Sequence, residues 1–412
     1  MKVNRIIPYS LLLYVLLWAL APLKLRYDFS TEAFSLFILM YISMAGGIFS
    51  YQLISFPTPS QSTLSFKNIS SRSIKKLFVL TLTITIIGIG LRAFDKLVLR
   101  DILSYATSVE RRDADTESSI FGVISAPLYA FALTLPILLK FIENKKIRTI
   151  SFLIFFLPSA EVLLMGSRGL FITTFMMLYV YVWHIWRIRP KQITSITLIG
   201  LTFIYISGYL FFERITSYGY TPLSNTFSSN YAFTLTPNEY AADLISTSGP
   251  LAVMAFIFVN ACQYYLHGFL EFSYLIDHSS NLSYQYGSYT FSIIGKLINF
   301  IAGTSQSIYL PPRYGVYTTL LGPLWVDFGP FAFVFLFIIG WITAMAYFKL
   351  KSGNFLFAPL YAYLVSVIFF SPVVNLIQSA LGLYVLVACT GFVILGKLIL
   401  KRPKTQLPTN NN

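Results

Sequence analysis

Three arginines and one histidine are the side chains of this chain best suited to chemistry. Arg168 sits in Met165-Gly166-Ser167-Arg168-Gly169, between two apolar runs. An ionisable group near membrane depth costs about 2.5 to 3.5 kcal/mol at a helix centre and less near an end, so it is usually kept for a function. Gly166 and Gly169 would let a ligand approach backbone N–H groups at the start of the next helix, where the dipole favours an anion. The alternative is an arginine that snorkels to phosphate headgroups. Arg214 follows Glu213 at the end of another apolar run, and there an interfacial anchor and a phosphate contact are equally good readings. Arg313 follows Pro311-Pro312, a stiff pair that would hold its guanidinium fork in place for bidentate contact. His267, in Gln263-Tyr264-Tyr265-Leu266-His267-Gly268, is the candidate to accept a hydroxyl proton, although a lone histidine is more often structural. Three guanidinium groups at one membrane face suit an anionic ligand of phosphate type.

The other ionisable groups have plainer expected roles. Glu161, seven residues before Arg168, is placed to be its counter-charge, and Asp327 in Asp327-Phe328-Gly329-Pro330 is placed to cap the helix that follows. His184 and His278 do not stand out. Asp113-Ala114-Asp115 could hold a divalent cation, but Asp-x-Asp arises easily by chance in an acidic loop, so no metal and no cofactor is expected. The loop from Arg92 to Ile120 reads as a solvated cap with nearly cancelling charges. Phosphate-binding Gly-rich loops, nucleophile elbows and His-Glu-x-x-His signals do not occur.

The elements that must position these groups follow from hydropathy. Of 412 residues, 56% are hydrophobic, 17% aromatic and only 11% charged, with a mean hydropathy of +0.68, well above a soluble domain of this size. Runs near the 20 residues that a span needs occur at about 6–23, 33–55, 76–92, 121–142, 147–165, 169–186, 193–213, 331–348, 356–373 and 379–396. The expected fold is therefore an all-α polytopic membrane protein with about ten transmembrane helices, or twelve if 249–266 and 289–303 also cross. Interfacial or re-entrant helices suit those two stretches better, because Tyr264, Tyr265, Tyr284, Tyr286 and Tyr289 fit the headgroup level.

Lysine and arginine cluster at the N-terminus, in alternate short connections and in the tail. The positive-inside rule then makes both termini cytoplasmic and explains the net charge of +14 without a nucleic-acid partner. Pro22 after Ala19-Leu20-Ala21 favours a retained first helix over a cleaved signal. Cys262 and Cys389 lie far apart in apolar surroundings and read as small hydrophobes. The resulting division is 1–213 as N-terminal membrane helices, 214–318 as a large extracytoplasmic loop, 319–396 as C-terminal membrane helices and 397–412 as a cytoplasmic tail. The loop is rich in Tyr, Ser, Asn and Gly and carries Glu239, Asp243, His267, Glu271, Asp277, His278 and Lys296, which makes it the expected seat of function.

Two stretches carry a family resemblance. Gly166-Ser167-Arg168-Gly169-Leu170 opening a helix, and Tyr314 to Gly329 leading into an apolar span, resemble the bacterial oligosaccharide repeat-unit polymerases, the Wzy-type enzymes of O-antigen and capsule assembly. The layout of many spans with one large late external loop is similar along most of the chain. The resemblance implies a glycosyltransferase of the inner membrane that joins undecaprenyl-diphosphate-linked oligosaccharides, as both donor and acceptor, at the periplasmic face. It also implies a partner protein that regulates chain length. By motif it points to Arg168 as a ligand of the lipid diphosphate; Arg214, Arg313 and His267 match by placement only. The rival expectations are an O-antigen ligase, served by the same arginines, and a flippase for the same lipid-linked sugars.

Overall fold

The computed structural model describes residues 2–54, 70–105, 119–164, 169–186, 190–217, 219–279, 284–291, 311–313, 316–378 and 380–400. The fold is predominantly helical, and among the described residues eight stretches are long and apolar enough to cross a membrane: Val3–Leu20, Thr31–Ile54, Ser71–Leu99, Ile120–Phe141, Gly169–Trp186, Pro250–Asp277, Leu321–Lys351 and Gly382–Ile399. In chain order the helices used below are α1 (Ile6–Leu20), α2 (Thr31–Ile54), α3 (Ser71–Ala93), α4 (Ile120–Ala130), α5 (Lys145–Leu164), α6 (Gly169–Tyr181), α7 (Pro190–Ser217), α8 (Pro222–Ser228), α9 (Glu239–Ser246), α10 (Pro250–Asp277), α11 (Leu321–Phe328), α12 (Ala332–Lys351), α13 (Ala358–Phe369) and α14 (Ala380–Ile399).

The bundle has two distinct ends. One collects Asn4 against Gln52, Lys75 against Glu143, and Phe141 against Phe355; it is the lysine-rich end and is called the basic end here. The other carries the insertion that follows α7.

Helices in an apolar solvent gain nothing from hydrophobic exclusion, so close backbone packing through small residues holds them together. Helices α2 and α12 form the most extensive contact in the structure on this basis. A Cβ built on Gly47 would fall 2.0 Å from the Phe337 carbonyl oxygen, and one on Gly340 would fall 2.1 Å from that of Met44. The two glycines thus remove side chains on both sides of one crossing.

The expected span at 356–373 is shorter than its apolar run suggested. The helix ends at Phe369, and the chain turns through Phe370–Gln378 with Ser371 and Asn375 buried. Ser10 in α1 donates to the Phe369 carbonyl at 2.8 Å, and Ser371 donates to the Tyr41 hydroxyl at 3.1 Å. Both partners sit well inside their helices, so α13 stops level with the middle of α1 and α2 rather than at their ends.

The insertion is structured where it is described. Strand β1 (Leu23–Leu25), just after α1, pairs antiparallel with β2 (Leu235–Pro237), with Lys24 opposite Thr236. Lys24 also reaches Glu239 at 2.6 Å, and that contact holds the exposed Glu239 carboxyl below its ordinary range. The stretch 249–266, expected as an interfacial or re-entrant helix or, in a twelve-helix count, as a span, is the first part of α10, which continues unbroken to Asp277. Helix α10 has the length of a span, yet its second half packs on the insertion end of the first two helices: Phe269 contacts Phe29, Phe34 and Phe37, and Tyr14 donates to the Leu266 carbonyl at 3.4 Å. The Tyr27 hydroxyl donates to the Asp277 carboxylate, and burial together with that carboxylate pushes the phenol above its ordinary value.

Candidate functional site

Helix α10 places its polar residues by periodicity. Gln263, His267 and Glu271 are spaced by four, which puts them on one face of the helix, and all three are at most 1% exposed. Each carries an atom with no hydrogen-bond partner among the described residues: Gln263 Oε1, His267 Nε2 and Glu271 Oε1. An orphaned buried polar atom costs about 1 to 3 kcal/mol, and native proteins keep few of them without a functional reason. Three in a row on one buried helix face mark it as the candidate site.

The imidazole has a defined tautomer. His267 Nδ1 lies 3.0 Å from the Gln263 carbonyl oxygen, which can only accept, so Nδ1 carries the proton and Nε2 of the neutral ring presents its lone pair. Tyr231, Tyr264 and Tyr317 surround the ring with centroids at 4.3, 6.1 and 6.1 Å. Tyr317, 40% exposed, is the one of these whose ring is well exposed at the surface.

Beside it, Arg313 donates Nε–H to Glu271 Oε2 at 2.7 Å and Nη2–H to the Asn230 carbonyl at 2.8 Å, while its guanidinium carbon lies 3.8 Å above the Phe233 ring. The fork expected to grip phosphate is thus partly committed to protein. Its evident work is to compensate the buried Glu271 carboxylate and tie the Pro311–Arg313 segment to α10. Gly268 gives α10 its floor, since a Cβ there would stand 2.4 Å from the Val373 carbonyl oxygen in the turn after α13.

The structure therefore brings together two of the four predicted site residues, His267 and Arg313, and adds Gln263 and Glu271. Arg168 lies outside the described residues, as do Asp113, Asp115 and 292–310. The backbone of Arg214 belongs to the last turn of α7, and its side chain lies outside the description.

One expectation about a carboxylate changes, and a second carboxylate has partners that its sequence neighbours do not indicate. Asp327 does not cap α12, whose first turn follows Phe331. It is wholly buried in α11 and accepts the backbone N–H groups of Tyr289 at 3.0 Å and Thr290 at 2.6 Å, which clamps the return of the insertion. Glu161 is engaged by Arg92 at 3.0 Å and Lys96 at 2.6 Å. The start of the Arg92–Ile120 loop is accordingly no solvated cap: Asp95 and Lys96 are buried, and Asp95 accepts from Arg100 and Ser119. A narrow pocket beside this cluster is lined by Arg92, Tyr129, Pro158, Glu161, Leu170 and Tyr384.

A larger cavity of about 790 Å³ opens between the end of α7 and the start of α10. Tyr205, Tyr209, Glu213, Thr216, Thr221 and Ser246 contribute aromatic faces, hydroxyls and one carboxylate to its wall. No group of three or more potential metal ligands occurs among the described residues. No family model, curated protein or solved structure matches this chain.

Proposed function

We propose that the chain is a membrane glycosyltransferase that polymerises lipid-diphosphate-linked oligosaccharide units at the insertion end of the bundle. The observation that carries this reading is His267 Nε2, a lone pair of fixed tautomer, buried and without a partner among the described residues. A polar orphan of this kind is matched to the hydroxyl of an incoming sugar. In the reaction the acceptor oxygen forms a bond to the donor's anomeric carbon, and the bond from that carbon to the diphosphate oxygen breaks. The departing lipid diphosphate keeps the electron pair, and the hydroxyl proton passes to Nε2.

Negative charge grows on the leaving group, and guanidinium groups stabilise such charge most where water is scarce. Arg168, with Arg214 beside it in role, is assigned that work. Arg313 acts on the same site through Glu271. The cavity between α7 and α10, with Tyr205, Tyr209 and Phe212 beside several hydroxyls, supports a saccharide substrate, because aromatic faces and hydroxyls together recognise sugars. Donor and acceptor are both undecaprenyl-diphosphate-linked oligosaccharides, no cofactor enters, and a separate protein sets chain length. The membrane is the bacterial inner membrane, with the site on its periplasmic side.

The test is reconstitution of the purified protein with lipid-diphosphate-linked repeat units and no nucleotide sugar. A ladder of longer products is expected, with Arg168→Ala abolishing it and His267→Gln lowering its rate at unchanged protein level. No ladder from the native protein, or full-length polymer from both variants, would overturn the assignment.

A further inference from the structure

At the basic end, a cavity of about 440 Å³ lies between the end of the α4 segment, the first turns of α5 and the end of the α6 segment. Its wall combines two kinds of group. Lys140, Arg148 and Thr149 supply two cations and a hydroxyl, whereas Leu139, Phe152 and Trp186 supply an apolar floor. The floor is held rigid: the Trp186 indole N–H donates to the Pro136 carbonyl at 3.3 Å, and the Phe152 and Trp186 rings meet with centroids 6.1 Å apart. The lining is cationic through Lys140 and Arg148, and the connecting segment 140–148 adds Lys145 and Lys146 against the one carboxylate of Glu143, itself 3.5 Å from Lys75.

The geometry points to a binding site for one anionic glycerophospholipid in the leaflet at this end of the bundle. Its phosphate would lie between Lys140, Arg148 and the Thr149 hydroxyl, and the first part of an acyl chain would lie on Phe152 and Trp186. Charge alone would give a diffuse basic surface. A concave site that pairs cations with fixed aromatics at the membrane boundary instead selects a molecule that is anionic at one end and apolar at the other. Arginine and lysine divide the work, the guanidinium offering a fork to phosphate oxygens and the ammonium a point charge. The site lies at the opposite end of the bundle from His267 and is independent of the proposed glycosyl transfer.

The experiment is native mass spectrometry of the delipidated full-length protein with phosphatidylglycerol, cardiolipin, phosphatidylcholine or inorganic phosphate added singly. Retention of one phosphatidylglycerol or cardiolipin per chain is expected, with neither phosphatidylcholine nor free phosphate retained. The Lys140→Gln, Arg148→Gln double variant should weaken the affinity for that lipid, read by titration, roughly thirty-fold. Both side chains are exposed, so the fold tolerates the change, and an unaltered thermal midpoint of the lipid-free variant checks this. Equal retention of phosphatidylcholine would overturn the site as an anion-selective one. Retention of inorganic phosphate that competes with lipid would make it a soluble phosphate site, and an unaffected double variant would remove these cations from it.

Discussion

Arg313 donates to Glu271 at 2.7 Å across 42 positions of sequence, and the Glu271 side chain it reaches is wholly buried, while the arginine side chain keeps about a fifth of its surface. Removing one member of such a pair costs more than the pair itself contributes, because the other charge is left in a poor solvent. Arg313→Ala is therefore expected to destabilise by about 3 kcal/mol, and Arg313→Ala with Glu271→Gln together by less than Arg313→Ala alone. Thermal unfolding of the detergent-solubilised protein measures both, and additive losses would show that the two side chains are not coupled.

Asp327 makes a second prediction. It accepts two backbone N–H groups from the Gln285–Phe291 turn, so Asp327→Ala strands two donors and should cost about 3 kcal/mol. Asp327→Asn, which keeps one acceptor oxygen, should fall between. Limited proteolysis reports the loss as cleavage within 284–291.

The α2 and α12 crossing leaves no room for a methyl group. Gly47→Ala or Gly340→Ala would drive a Cβ into a carbonyl oxygen, and either is expected to cost about 3 kcal/mol or more. The readout is the yield of monodisperse protein on size exclusion. Gly169→Ala serves as the control, since a Cβ there meets nothing within 4 Å among the described residues.

Glu161 is shared by Arg92 and Lys96, so its removal should do more harm than removal of either cation. Glu161→Ala is expected to cost about 3 kcal/mol and Lys96→Met less, with a coupling of about 1 to 3 kcal/mol in a double-mutant cycle.

The apolar runs made most of the scaffold legible, because 20 residues without charge leave a chain little else to do in a membrane. Helices fall where 33–55, 121–142 and 331–348 predicted them. The extent of α10 was hidden because Gln263, His267 and Glu271 interrupt its apolar run. Read at a period of four, the same residues form one polar stripe, and that signal was present in the sequence. His267 and Arg313 could be named from residue type and neighbours, but not that Glu271 joins them, since contacts across tens of residues have no local signature. The partners of Glu161 and Asp327 were missed for the same reason. Helix α13 defeated the hydropathy count because that count runs on through Val374 and gives no weight to Ser371-Pro372, the local stop signal; the depth at which Ser10 and Tyr41 receive its end shows where the break falls.

That early stop has a vertical consequence. Twelve residues of helix rise about 18 Å, against a hydrocarbon slab of roughly 30 Å. The missing height is made up by polypeptide instead of lipid: the turn after Phe369 forms a pedestal, and Gly268 rests on it with His267 alongside. Polar side chains that a lone helix could not hold are thereby shelved partway down the bundle, on a ledge of protein.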